Sequence, residues 1–404
     1  MKTVNELILR YRSELADSVT PFWEKTFDSV NGGFFNMIDR DGSIFDRTKF
    51  PTMQWRAIYM FARLHNSEFR REGWLEKAVR GFDFCTEKLR GEDGSYPAAC
   101  GEDGSNQVPG GKFNILCESY AAIAAAELFR ATGEKRYRDE AASAFRVFNG
   151  RIRESEQPRE DSRPAAGAAF GSRSMLRAGG VKRLGLQMHL CTTAAILYEI
   201  FGPDFEECGS ILNRTLDTLP EFRHPELGRW IETRRLDGSF DFDNPMGRLI
   251  VTGHGFETIC FMAHAAETAG REDILRRIPD WVDELCRRTR TPEGGIPHME
   301  DALGRPVCDP GLAARSWWSH CEALAAIAWA WKLDGGDRFR ECFLAFDELT
   351  WRYFRDPEYP EWFSFVSPRG EPLVLIKGSM LKTFFHLPRM LLVCLDCFRS
   401  IAAR

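Results

Sequence analysis

Two hydrophobic patterns alternate along the chain. Segments 5–27, 73–89, 136–150, 204–218, 272–289 and 337–354 place apolar residues at helical spacing, with many Arg, Glu and Lys between them. That is the pattern of a helix with one solvated face. Segments 52–65, 114–131, 186–201, 252–270, 316–332 and 379–399 are apolar almost all round, as in SYAAIAAAELF and CEALAAIAWAWKL. Such segments predict buried helices. Between an exposed and a buried segment the chain returns to a third pattern: Gly or an equivalent, an aromatic or Ile, then a Gly-containing turn nine or ten residues on. It starts at Gly33 (GFFNMIDRDG), Gly94, Gly228, Gly295 (GIPHMEDALG) and Glu361 (EWFSFVSPRG), and reads as a short β-hairpin.

The unit is therefore about 65 residues long, a spacing that marks internal repeats. The interval from Gly94 to Gly228 is double. The stretch REDSRPAAGAAFGSRS near residue 161 reads as the same slot with a different insert. Six pairs of helices, exposed then buried, predict an all-α fold: a closed (α/α)6 barrel filling residues 1–404 as one domain, with its hairpins at one mouth. An open solenoid would leave apolar inner helices uncovered at both ends, and no capping unit is evident. In the barrel the N-termini of the inner helices converge on one pocket, where their dipoles favour oxygen-rich or anionic ligands.

Composition narrows the partners. A net charge of −5 gives no general electrostatic reason to bind nucleic acid or an anionic membrane. No run approaches the roughly 18 uninterrupted apolar residues of a membrane span, and the first residues do not read as a signal peptide. A cytoplasmic protein is the expectation. The twelve cysteines are scattered, several within helical patterns (Cys117, Cys191, Cys260, Cys321), as reduced buried thiols would be.

The starts of the buried segments carry the candidate chemistry. In order they are Gln54 and Arg56; Asn114 and Glu118; His189; Arg248, His254 and Glu257; Trp317, Trp318, His320 and Glu322; and Lys377, Lys382 and His386. Four of the eight histidines fall at equivalent places in the repeat, a pattern that favours imidazole acid–base chemistry over four unrelated structural roles. His254 and Glu257 are spaced i, i+3 on one helical face, so Glu257 is the expected partner of that imidazole. His298, on the fifth hairpin, is a further candidate to face the pocket, whereas His65, His224 and His264 read as structural. There is no H-E-x-x-H and no cysteine cluster at zinc spacing, so no metal is expected. Nucleotide and serine-hydrolase motifs are also absent, and no cofactor is expected.

At these residues the chain resembles the N-acylglucosamine 2-epimerase family, with its cellobiose 2-epimerase, mannose isomerase and sulfoquinovose isomerase relatives. The matching segments are GGFFNMIDRDG…DRTKFPTMQWRAIYMFARL, MGRLIVTGHGFE, WWSHCEALAAI and KGSMLKTFFHLPRML, from residue 32 to 390. The resemblance implies an (α/α)6 barrel and metal-free proton transfer on a small reducing sugar. It makes His254 and His386 the acid–base pair, with Glu257 and His189 beside them. It makes Arg56 a substrate-oxygen binder and places Trp318 and Glu322 in the pocket; from their places at the helix starts, Asn114, Glu118, Arg248, His320 and Lys382 are further expected substrate contacts. Thr252 stands where the family has Pro before Gly-His. His189 (QMHL) matches mannose- and cellobiose-acting members, whereas the segment around Arg56 is nearer the N-acyl epimerases. Homodimers are common in the family, though the chain marks no interface.

Chemistry supports the same residues. Opening a pyranose makes the C2 proton acidic, and its removal leaves an enediolate whose oxygen needs a cation such as Arg56. Return of a proton to the opposite face of C2 gives 2-epimerisation, and delivery to C1 gives a ketose. Two other classes fit the same barrel: a glycan hydrolase or lyase using paired glutamates, and a sugar or protein binder without catalysis.

Overall fold

A computed structural model describes residues 2–109, 115–157, 180–289, 291–306 and 313–404. Its helices in chain order are α1 (Val4–Ser13), which runs through the wider π-wound turn Glu14–Val19 into α2 (Thr20–Glu24); α3 (Pro51–His65); α4 (Trp74–Asp83); α5 (Leu116–Thr132); α6 (Lys135–Glu156); α7 (Leu184–Phe201); α8 (Glu206–Thr218); α9 (Thr252–Ala269); α10 (Glu272–Leu275); α11 (Ile278–Thr289); α12 (Trp317–Asp334); α13 (Asp337–Phe354); and α14 (His386–Ala402). The fold is mainly helical with a few short strands. Local sequence sets the ends. Thr3 and Glu6 form a reciprocal capping box on α1. Gly133, Gly270 and Gly335 close α5, α9 and α12 with φ of +72°, +68° and +73°, a conformation that costs glycine nothing.

The segments that are apolar all round are the buried ones. Helices α3, α5, α7, α9, α12 and α14 pack each on the next, and the amphipathic helices lie against their outer sides. All six line one cavity. Runs of alanine on α5 (Ala121–Ala126) and α12 (Ala323–Ala330), most of them fully buried, let neighbouring helix backbones approach closely. By length and composition α7 could cross a membrane, but its faces are taken by α5, α8 and α9.

The strands correct one expectation. Pairing within a unit occurs at Met37–Ile38 with Ile44–Asp46 and at Arg223–His224 with Arg229–Trp230. Elsewhere the segment just before a buried helix pairs with the hairpin of the next unit: Val181–Arg183 with Thr233–Arg235, Leu249–Val251 with Met299–Asp301, and Arg315–Ser316 with Phe365–Val366. Single bridges continue the scheme from Lys49 to Cys100 and, across the chain's two ends, from Gly378 to Ile38. The hairpins thus clasp neighbouring units together, because a two-stranded ribbon alone leaves its edges unpaired. A second correction concerns the last buried segment, which becomes helical only at His386. Ser379–Phe385 is a loop closed by Ser379–Lys382 hydrogen bonds.

Candidate active site

One polar side chain from each buried helix meets at the level of the second helical turn. Arg56 of α3 donates to the Tyr120 hydroxyl of α5 at 2.6 Å. The Tyr120 ring stands edge-on to His189 of α7, with centroids 5.4 Å apart. Glu257 of α9 lies 4.0 Å from the Arg389 guanidinium of α14, and Arg389 also donates to Glu322 of α12. The repeat explains the convergence. Buried helices of successive units pack side by side in like register, so residues far apart in sequence become neighbours.

Above this layer stand two histidines, each held by a carboxylate on Nδ1. His386 Nδ1 is 2.8 Å from Glu322 Oε1. His254 Nδ1 is 2.9 Å and 3.0 Å from the two oxygens of Glu232. Both rings pack on Trp318, at centroid distances of 5.4 Å for His254 and 5.6 Å for His386. A carboxylate on Nδ1 fixes that nitrogen as the donor and leaves Nε2 for chemistry.

Electrostatics separates the two rings. Burial pushes His386 down to about 4 despite the Glu322 carboxylate. Burial also works against His254, but Glu232, with Glu257 and Glu322 behind it, holds this imidazole above its ordinary value. His189 is pushed well below its ordinary value by burial and then by Arg56. Burial raises Glu257, and the nearby Glu322 charge raises it further, while Glu322 itself is held down by Arg389 and His386 against its own burial. One imidazole is thus poised to carry a proton and the other to accept one, in a single pocket.

Several residues expected here face elsewhere. Glu118 turns outward to Arg151 of α6. Arg248 gives its guanidinium to Asp301 and to the carbonyls of Phe242 and Asp243, tying down the loop before α9. His320 is fully buried between helices, stacked on Phe346 at 5.3 Å. Its Nδ1 is 2.8 Å from the Ser316 carbonyl, and Nε2 accepts from the Ile296 amide. Lys382, in the loop rather than on a helix, is buried against Glu361 and the Trp362 carbonyl. In each case the helical face was the wrong one, or the turn lay outside the helix. Gln54 and Lys377 are similarly structural, bound to the Phe34 backbone and to Asp356. Trp317 is buried in the wall while Trp318 faces the pocket. Asn114 lies outside the described residues.

Other residues were missed. Glu232, not Glu257, partners His254; it sits four residues after the glycine of its hairpin, near the slot that holds His298 three residues after Gly295. Arg389 lies within the matching segment KGSMLKTFFHLPRML and Tyr120 among core aromatics, so neither stands out in the sequence as a pocket residue. His298 does reach the pocket wall. Its ring meets Trp318 edge-on at 5.8 Å, Nδ1 is 3.2 Å from Ser316 Oγ, and burial with His254 nearby lowers it to about 4.

Glu257, Glu322 and His386 bring their ligand atoms within 4.8 Å of one another, a spacing open to a metal ion. The donor set argues against a resident dication. Arg389 already sits between both carboxylates, and Glu322 is engaged through both oxygens.

Residues 33–388 match the family model of the N-acylglucosamine 2-epimerases. The chain belongs to this family. It is 29% identical to the N-acylglucosamine 2-epimerase of Mus musculus, over 98% of this chain and 92% of that one. It is 22% identical to the cellobiose 2-epimerase of Ruminococcus albus, over 89% and 91%. In fold it superposes on the cellobiose 2-epimerase of Bacillus thermoamylovorans with a TM-score of 0.81 at 17% identity, covering 97% of this chain and 99% of that one. The corresponding protein of Spirochaeta thermophila gives 0.80 at 19%, covering 99% and 98%.

Proposed function

We propose that this protein is a metal-independent sugar isomerase that inverts C2 of a ring-opened reducing sugar, on a closed ring of six helix pairs with the hairpins at one mouth. The observation that carries the reading is the pair of carboxylate-held histidines against one tryptophan, with opposite charge preferences.

Neutral His386 removes the C2 proton at Nε2, and Glu322 stabilises the imidazolium that forms. Arg56 and Arg389 meet the negative charge of the enediolate with guanidinium groups already fixed by Tyr120 and Glu322. Charged His254 returns a proton to the other face of C2, with Glu232 holding its ring. In the reverse direction the two exchange roles. Trp318 offers its face to the apolar side of the sugar. N-acylglucosamine and N-acylmannosamine are the proposed pair, in line with the higher identity to the mouse relative. His189 in the wall supports a second reading, aldose–ketose exchange on a mannose or fructose type of sugar, with the proton delivered to C1.

A glycan hydrolase would need two glutamates free to act across the pocket. Both oxygens of Glu322 are engaged, and Glu118 faces Arg151.

The test is incubation with reducing sugars in D2O, read by NMR. Deuterium at C2 with inversion supports epimerisation and names the substrate, and a ketose product selects the second reading. If no sugar takes up deuterium from folded protein, the proposal fails.

A further inference from the structure

A cavity lined by all six buried helices begins at Tyr120, His189 and Arg389 and runs toward the C-terminal ends of those helices. Below Tyr120, His189 and Arg389 the inner wall becomes apolar, with Ile123, Ile196, Phe261 and Val393, and then polar again at the C-terminal ends of the buried helices. There, charged residues from neighbouring helices pair around the rim. Arg63 meets Glu127 at 3.2 Å. Glu199 takes Arg130 at 2.8 Å and His264 at 3.0 Å, and Lys332 pairs with Glu267 at 2.5 Å. None of these residues enters the proposed chemistry.

We propose that this far mouth is a second ligand site, built for an uncharged, hydroxyl-rich molecule of monosaccharide to disaccharide size. Three observations point to that class. The cavity holds about 330 Å³, the lower end of small-molecule sites. Its charges come as matched acid–base pairs, which supply donors and acceptors side by side without demanding a net charge, as vicinal hydroxyls require. Trp329 adds an aromatic wall, 6% exposed, and its indole N–H has no hydrogen-bond partner. A buried donor left unpaired is costly, and a ligand oxygen would satisfy it. Glu127, 1% exposed and fixed by Arg63 and by Asn66 at 2.8 Å, is a preset acceptor on the opposite side. Helix C-termini disfavour anions, which points away from a phosphate or carboxylate ligand here. The inference does not rest on the reading of the front pocket.

The test uses methyl α-D-mannopyranoside and trehalose, which are non-reducing and cannot ring-open, in calorimetric titrations of the full chain. At least one probe is expected to bind, and Trp329→Leu and Glu199→Gln should each weaken that binding tenfold or more. Deuterium exchange at C2, measured separately on a reducing sugar, should stay within threefold in both variants. Should Trp329→Leu fail to fold, Glu199→Gln, a partly exposed position, carries the comparison. Absence of heat from both probes with folded protein overturns the proposal. So does binding that the variants leave unchanged, which would belong to the front pocket and reduce the far ring to a set of structural ion pairs.

Discussion

His254 and His386 begin as the same imidazole and acquire opposite preferences from their surroundings. Burial works against charge at both. At His254 the facing carboxylates win, whereas at His386 burial wins, with the Arg56 and Arg389 guanidiniums adding to it. The proposed mechanism needs His386 neutral and His254 charged. Activity should therefore fall on the acid side as His386 gains its proton near pH 4. It should fall on the alkaline side only above the ordinary imidazole value of ~6.5, as His254 loses its own. A pH profile of deuterium exchange checks both limbs. Glu232→Gln removes the charge that lifts His254 and should move the alkaline limb to lower pH. A merely structural Glu232 would leave that limb in place. Replacing either histidine by Asn should cost about 10²–10⁴-fold in exchange rate, with Glu257→Gln costing less. His320→Asn should instead lower stability by about 1–3 kcal/mol, since it strips buried partners from the Ile296 amide and the Ser316 carbonyl. Its folded fraction should keep its rate, as a denaturation midpoint and a corrected kcat would show.

At the scale of elements, the start of α9 shows how backbone packing shapes the pocket. Gly253 is helical, and a Cβ there would run into the Trp318 ring and Ser319 Oγ. Ser319 is buried and Trp318 is a rigid, partly buried ring on α12, so the collision cannot be relieved by a flexible tip. Gly253→Ala should push Trp318 from between the two histidines and lower exchange more than it lowers Tm, with the loss appearing chiefly in kcat. The strand links behave differently. A Cβ at Gly378 would meet the Asn36 carbonyl and Ile38, at the bridge joining the last unit to the first. Gly378→Ala should lower Tm by a few degrees, with a loss on the order of 1–3 kcal/mol, as scanning calorimetry would read.

For the whole molecule, the alternation of solvated and buried helices could be read from residue order because each pattern reflects only its own segment's contact with water. Hydrophobic period and the recurrence of a unit of about 65 residues therefore gave the element order and the layer in which His189, His254, Glu257, Glu322 and His386 lie. Which side of a helix faces the axis was harder to read. An inner helix is covered on every side, so it has no polar face to mark its inward direction, and Glu118 and His320, expected in the pocket, point away from it. The apolar content of SMLKTFF likewise predicts helix where the chain forms the loop before α14. Partners supplied by another unit, such as Glu232 for His254, lie outside any local pattern. The sequence by itself determined which segments are buried and which residue types stand at each helix start, since burial and propensity act locally. Only the tertiary structure decided which of those residues meet, and with what charge, because pairing and the shift of an imidazole depend on distances between helices that residue order does not contain.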